Sequence, residues 1–134
     1  MKNCTPLMGM LATAAWFLAA APLQAHHSFA AQYDSTKPIT LTGKVTKVEW
    51  TNPHIYIYID VHDGKTGGAQ NWALEMGGPN ALIRNGWSRN SLKVDDEITV
   101  EGSLARDGSA LVNARSIVMT STGRRMLAGS SEEE

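Results

Sequence analysis

The stretch HIYIYIDVH, residues 54–62, constrains the fold most, because apolar and polar side chains alternate along it without a break. The aliphatic residues share one parity: Ile55, Ile57, Ile59 and Val61. The polar residues share the other: His54, Tyr56, Tyr58, Asp60 and His62. A period of two is typical of a β-strand with one buried face. The stretch therefore predicts a strand whose aliphatic side chains enter the core and whose polar side chains face outward.

Similar patterns on both sides of this strand predict the other elements. Their ranges are 39–50 for the first strand, 69–76 for the third, 96–104 for the fourth, 110–119 for the fifth and 123–129 for a short last strand. In the first strand the apolar parity changes after Val45, which indicates a β-bulge, and Gly43 is a residue that bends cheaply. Between the third and fourth strands, Gly78 and Pro79 favour the start of a short helix and Gly86 favours its end.

The order of these elements is β-β-β-α-β-β. Five strands with one helix between the third and fourth is the order of an OB-fold, a small and partly open barrel. We therefore predict an all-β domain with one short helix, an OB-fold-like five-stranded barrel, over residues 38–128. The alternative is an open antiparallel sheet packed under the helix.

The first residues have the pattern of a secretory signal peptide. Lys2 is followed by the uncharged run PLMGMLATAAWFLAAAPL, and LQA ends the segment with Ala25. The apolar core is shorter than the roughly 20 residues that a spanning helix needs. We therefore predict a signal peptide at 1–25, cleavage after Ala25, a periplasmic or secreted location, and no stable membrane insertion after cleavage.

Composition narrows the functional classes. The single cysteine, Cys4, lies in the predicted signal peptide, so the processed chain is expected to have no disulfide or thiolate metal site. The charges are nearly balanced, with 12 Lys and Arg against 13 Asp and Glu, which argues against nucleic acid as a partner. Residues 26–37 have weak periodicity and are predicted as an N-terminal arm. Residues 129–134, GSSEEE, are predicted as a disordered acidic tail.

Four stretches together resemble a family of small secreted bacterial proteins, the domain of unknown function family 6152. They are HHSFAAQYD at 26–34, GKVTKVEWTNPH at 43–54, NWALEMGGPNALIRNGW at 71–87 and VDDEITVEG at 94–102. The resemblance implies export and a compact β-rich domain. It implies no known activity.

The polar face of the second strand is the first candidate site. The expected ligand-binding residues are Tyr56, Tyr58, His54 and Asp60. Tyrosine has a flat apolar body with a polar tip, which suits a small ligand, a peptide or an exported protein partner. The alternative is that ordinary cross-strand pairing explains these residues.

The second candidate is a copper or zinc site. Cleavage after Ala25 would make His26 the first residue, whose free amine and imidazole form a chelate, and nitrogen ligands favour copper. His27 or His54 would add a further imidazole, and Glu75 or Asp60 a carboxylate. The alternative is that the two histidines are a tolerated polar start and that His54 caps a turn.

Other motifs give weaker signals. The glycine pair in EMGGPN, residues 75–80, precedes a helix and fits either an anion-binding turn or a tight connection. Trp72 and Trp87 are expected to pack in the core or under the helix. The chain has no nucleophile-elbow motif and no acid–base pair set apart by its context, so we predict a protein that is not an enzyme.

Overall fold

The structure is a computed structural model, and it describes residues 29–129. The elements in these residues are α1 (Phe29–Gln32), β1 (Tyr33–Glu49), β2 (Tyr56–His62), β3 (Ala69–Glu75), α2 (Pro79–Arg84), β4 (Glu97–Ala105), β5 (Leu111–Met119) and β6 (Arg125–Leu127). The predicted order, with a short helix between the third and fourth strands and a short last strand, is confirmed. The predicted signal peptide, His26, His27 and residues 130–134 lie outside the described residues.

The strands form a mostly antiparallel sheet that closes into a ring. Their order is β3-β2-β1-β4-β5-β6, and β3 also pairs in parallel with β5. The pairing of β3 with β5 excludes the open sheet that the sequence also allowed. The sheet has six strands, because the short β6 adds to the five that were expected to form the wall.

The long strand β1 curls so that it pairs with two neighbours. Its first part pairs with β4 and its last part with β2. A bulge between Val45 and Lys47 explains the change of apolar parity. Gly43 has a different role, since a Cβ atom there would lie 2.5 Å from the carbonyl oxygen of Asp60. Glycine at position 43 therefore allows β1 and β2 to approach closely, and the bulge itself lies at Thr46.

The strand β1 begins at Tyr33, inside the segment that was predicted as an arm. Tyr33 pairs with Ala105 and Asp34 with Leu104, so these residues extend the sheet along β4. The register shifts between Asp34 and Pro38, which interrupts the periodicity of the sequence. The predicted boundary at residue 38 was too late, because the pairing of Tyr33 and Asp34 with β4 is not visible in a local pattern.

The core contains the aliphatic face of β2, as predicted. Ile55 and Ile59 are completely buried and Ile57 is 2% exposed. Each buried aliphatic side chain contributes roughly 1.5–3 kcal/mol through removal of apolar surface from water. This burial fixes the orientation of β2 and thereby turns its polar residues outward.

The helix α2 follows β3 and packs on the core. It starts at Pro79 after the cap residue Gly78, and Leu82 is its buried contact with the core. The predicted burial of Trp87 is confirmed, and its Nε1 donates a hydrogen bond to the carbonyl of Leu127 at 2.7 Å. Trp72 packs against the core while partly exposed. Among the described residues, neither helix has the length and apolar character needed to cross a membrane.

Candidate functional site

A row of polar residues runs across the outer face of the sheet, from β2 through β3 and β5 to β4. Glu75 lies opposite Tyr56 on β2 and opposite Asn113 on β5, and Asn113 lies opposite Ser103 on β4. Lateral partners in a sheet project to the same face. Glu75, Asn113 and Ser103 are nevertheless buried, which is unusual for outward-facing polar residues and shows that something covers them.

Helix α1 and the first residues of β1 provide part of this cover. We call residues 29–36 the covering segment. The ring of Phe29 stacks on that of Tyr33, with their centroids 5.5 Å apart, and Tyr33 is 1% exposed. Arg106 holds the segment in place, because its Nε donates to the carbonyl of Ala30 at 2.8 Å and its guanidinium lies 3.7 Å from Asp34.

Glu75 is the centre of the site. Its side chain is only 6% exposed, and each of its oxygens has a partner. The hydroxyl of Tyr33 donates a hydrogen bond to Oε2, and Nδ1 of His54 lies 2.6 Å from Oε1. A buried carboxylate without partners would cost several kcal/mol. The two contacts therefore make this carboxylate tolerable and also fix the positions of Tyr33 and His54.

The phenols beside Glu75 keep their protons. Burial raises the pKa of Tyr33 far above its usual value, and the hydrogen bond to Glu75 and the charge of Glu75 raise it further. Burial likewise raises the pKa of Tyr56 to about 12, with further contributions from the charge of Glu75 and a hydrogen bond to it. Both groups are thus hydrogen-bond donors at neutral pH.

The imidazole of His54 has two different edges. Its Nδ1 faces Glu75, and 39% of its side chain is exposed. A neutral histidine that donates from Nδ1 has its lone pair on Nε2. In this tautomer Nε2 has the lone pair that a metal ion needs.

The other two residues of the predicted ligand site lie in a separate network. The hydroxyl of Tyr58 donates to Glu49 at 3.0 Å, and Nζ of Lys47 lies 5.4 Å from the centre of the Tyr58 ring. The amide of Asn71 donates to Asp60 at 2.7 Å. The structure thus divides the predicted face into a covered end with His54 and Tyr56 and an open end with Tyr58 and Asp60.

The residues proposed for a metal site have different placements. His54 and Glu75 are in contact, whereas Asp60 lies opposite Asn71 and Glu75 lies opposite Tyr56, so the two candidate carboxylates are not partners across the strands. The register of β2 and β3 separates them. In residues 29–129, no three histidine, cysteine or carboxylate side chains form a group suited to a metal ion.

The contribution of Tyr33 was missed in the sequence. Tyr33 and Glu75 are separated by 42 positions, and no local pattern links them. One signal was present, because Phe29 and Tyr33 are four residues apart and aromatic side chains at that spacing meet on one turn of helix. That signal predicts the stacking but not its contact with Glu75.

These features define a small domain with a ring-shaped, mostly antiparallel sheet and a buried carboxylate beside a half-exposed histidine. The model of the family of unknown function DUF6152 matches residues 15–113, and the chain belongs to this family. A comparison with curated proteins gives no match.

Proposed function

We propose that the protein is an exported, non-enzymatic binding protein that captures a copper or zinc ion through His54 and the histidines that precede the covering segment. The observation that carries the proposal is the contact of 2.6 Å between Nδ1 of His54 and Oε1 of Glu75. Histidines that bind metals commonly donate their second N–H to a carboxylate, which fixes the tautomer and increases the basicity of the ligand nitrogen.

The position of the covering segment supports a contribution from His26 and His27. Phe29 stacks on Tyr33, and Tyr33 donates to the same carboxylate that orients His54. His26 lies three residues before Phe29, a distance that an extended chain spans in about 10 Å. His26 and His27 are therefore joined by a short length of chain to Phe29, which is linked to His54 through Tyr33 and Glu75.

Cleavage after Ala25 would add the amine of His26 as a ligand. An α-amine has a pKa of about 7.7–8.0 when unperturbed, so a metal displaces its proton at little cost near neutral pH. An amine with two imidazoles is a nitrogen-rich donor set, and such sets favour copper(II). His27 would replace the second imidazole if the geometry of His54 does not suit the chelate.

The broader proposal, a ligand, peptide or exported protein bound by Tyr56, Tyr58, His54 and Asp60, has less support. Tyr58 and Asp60 already contact Glu49 and Asn71, and these contacts explain both residues by cross-strand pairing. Replacing Tyr56 and Tyr58 together with Ser tests it. Loss of partner capture by a folded variant would support that face as a binding surface.

The metal proposal is tested with protein that begins at His26, as verified by intact mass. Copper(II) and zinc are titrated into this protein, into the same protein with one extra N-terminal Ala, and into His54→Ala. We expect at least a tenfold weaker copper affinity for His54→Ala, because it lacks a ligand, and a changed affinity for the Ala-extended protein, because its amine belongs to the added Ala and no longer forms a chelate with the His26 imidazole. His62→Ala is the matched control, since His62 is an exposed histidine at the other end of β2.

The outcomes separate the ligands. Electron paramagnetic resonance of the copper(II) complex should show coupling to several nitrogens, and fewer in His54→Ala. Equal affinities of the unmodified and Ala-extended proteins would exclude the chelate formed by the amine and the imidazole of His26. Equal affinities of His54→Ala and His62→Ala would exclude His54 and with it the proposed site.

A further inference from the structure

A pocket of about 280 Å³ lies between the turn that precedes β2 and the start of α2. The residues that line it include His54, Arg84, Asn52 and Asn80. Pockets for small molecules commonly begin at about 300 Å³. The volume therefore suits a small ligand with a few polar groups.

Close backbone contacts form the walls of this pocket. A Cβ atom on Gly78 would lie 2.7 Å from the carbonyl oxygen of Pro53, and one on Gly77 would lie 2.4 Å from that of Gly129. The amide of Gly77 also donates to the carbonyl of Ala128 at 2.8 Å. The glycine pair of EMGGPN thus serves a tight connection, and the shape of the pocket is set by backbone rather than by long side chains.

The charges around the pocket favour an anion. Among residues 29–129 the guanidinium of Arg84 has no hydrogen bond or ion pair, and no Asp or Glu is among the residues that line the pocket. The nearest carboxylate to His54 is Glu75, whose two oxygens are held by Tyr33 and His54. The guanidinium of Arg84 is therefore available to a ligand.

We propose that this pocket binds a small carboxylate-bearing molecule. The planar guanidinium of Arg84 donates two parallel hydrogen bonds to a carboxylate, and the amides of Asn52 and Asn80 supply further donors. This site goes beyond the proposed metal function, because it needs neither a metal ion nor His26.

The carboxylate has two sources. One is a free molecule, and the other is the chain itself, since Gly129 lines the pocket and Glu132, Glu133 and Glu134 follow it. Glu132 is three residues from Gly129, a reach of about 10 Å for an extended chain. A tethered carboxylate has an effective concentration in the millimolar range and would compete with a weak free ligand.

The test is a nuclear magnetic resonance titration of metal-free protein with succinate, with succinamide as the uncharged probe of similar size. We expect succinate to shift the amide signals of Gly77, Gly78 and Asn80 and succinamide to shift them little. Arg84→Gln should weaken succinate binding at least tenfold, because a hydrogen-bonded charge pair is lost. Arg89→Gln should change it less than twofold, since the guanidinium of Arg89 lies over the ring of Trp50 and not in the pocket.

A second variant, with Glu132, Glu133 and Glu134 all changed to Gln, identifies the source. Tighter succinate binding by this variant means that the acidic residues occupy the pocket in the unmodified protein, and equal binding means that the pocket serves a free ligand. Both results support the site. Absence of succinate binding by both proteins, equal effects of succinamide, or an unchanged affinity in Arg84→Gln would overturn it.

Discussion

The two ends of β2 have different surroundings. At the covered end, His54 and Tyr56 lie beside the buried carboxylate of Glu75. At the open end, Tyr58 and Asp60 contact side chains that are half-exposed or exposed. The alternation of residues is the same at both ends. The difference comes from the covering segment, whose Tyr33 contacts Glu75 at the covered end. A polar pattern in a strand therefore does not determine the surroundings of its polar residues.

The two ends should differ most in the cost of losing a carboxylate. Glu75→Ala leaves the hydroxyl of Tyr33 and Nδ1 of His54 without their partner, and Tyr33 is buried. Because each unpaired buried polar group costs about 1–3 kcal/mol, we expect a loss of about 3 kcal/mol in the free energy of unfolding. Asp60→Ala should cost below about 1 kcal/mol, because Asn71 can turn to water.

Urea denaturation followed by circular dichroism measures both values. The far-ultraviolet spectrum checks that each variant has the strand content of the unmodified protein. If Asp60→Ala were as destabilising as Glu75→Ala, the distinction between a covered and an open end would be wrong.

The hydroxyl groups of the two tyrosines offer a finer comparison. Tyr33→Phe leaves Oε2 of Glu75 buried without its donor, and we expect a loss of about 2 kcal/mol. Tyr58→Phe removes a similar bond to Glu49, but the Glu49 side chain is 33% exposed, so water can replace the donor and the loss should be below about 0.5 kcal/mol. Thermal unfolding of the two variants tests this order, and equal losses would contradict the role given to burial.

The sequence predicted the features that are set by residues close together in the chain. The alternation around Ile57 gave the buried face of β2, the change of parity after Val45 gave the bulge, and Gly78 with Pro79 gave the start of α2. The missed features join distant parts of the chain. The start of β1 at Tyr33 and the contact of Tyr33 with Glu75 depend on how β1 runs along β4, and no local period reports either.

The smallest effect concerns the attachment of the covering segment through Asp34. Its side chain accepts hydrogen bonds from the hydroxyl of Thr36 at 2.6 Å and from the backbone of Thr36 at 3.1 Å. These bonds lower the pKa of Asp34 below its usual value, with a further contribution from Arg106. Because the folded pKa is lowered, ionised Asp34 stabilises the fold above the unfolded pKa, near 3.9, and this contribution disappears as the pH falls through the folded pKa.

Asp34→Asn should therefore be slightly less stable than the unmodified protein at neutral pH, and the difference should vanish in acid. Unfolding in urea at a series of pH values between 2 and 7 measures it. Asp63→Asn is the matched control, since hydrogen bonds from Lys65 and Thr66 also lower the pKa of Asp63, but this residue lies in the β2–β3 loop beyond the open end. Both variants should show the same sign of pH dependence, and only Asp34→Asn should speed amide hydrogen exchange at Tyr33. Faster exchange at Tyr33 in Asp63→Asn would contradict the separation of the covered and open ends. It would mean that a change in the β2–β3 loop affects the covering segment at the opposite end of β2.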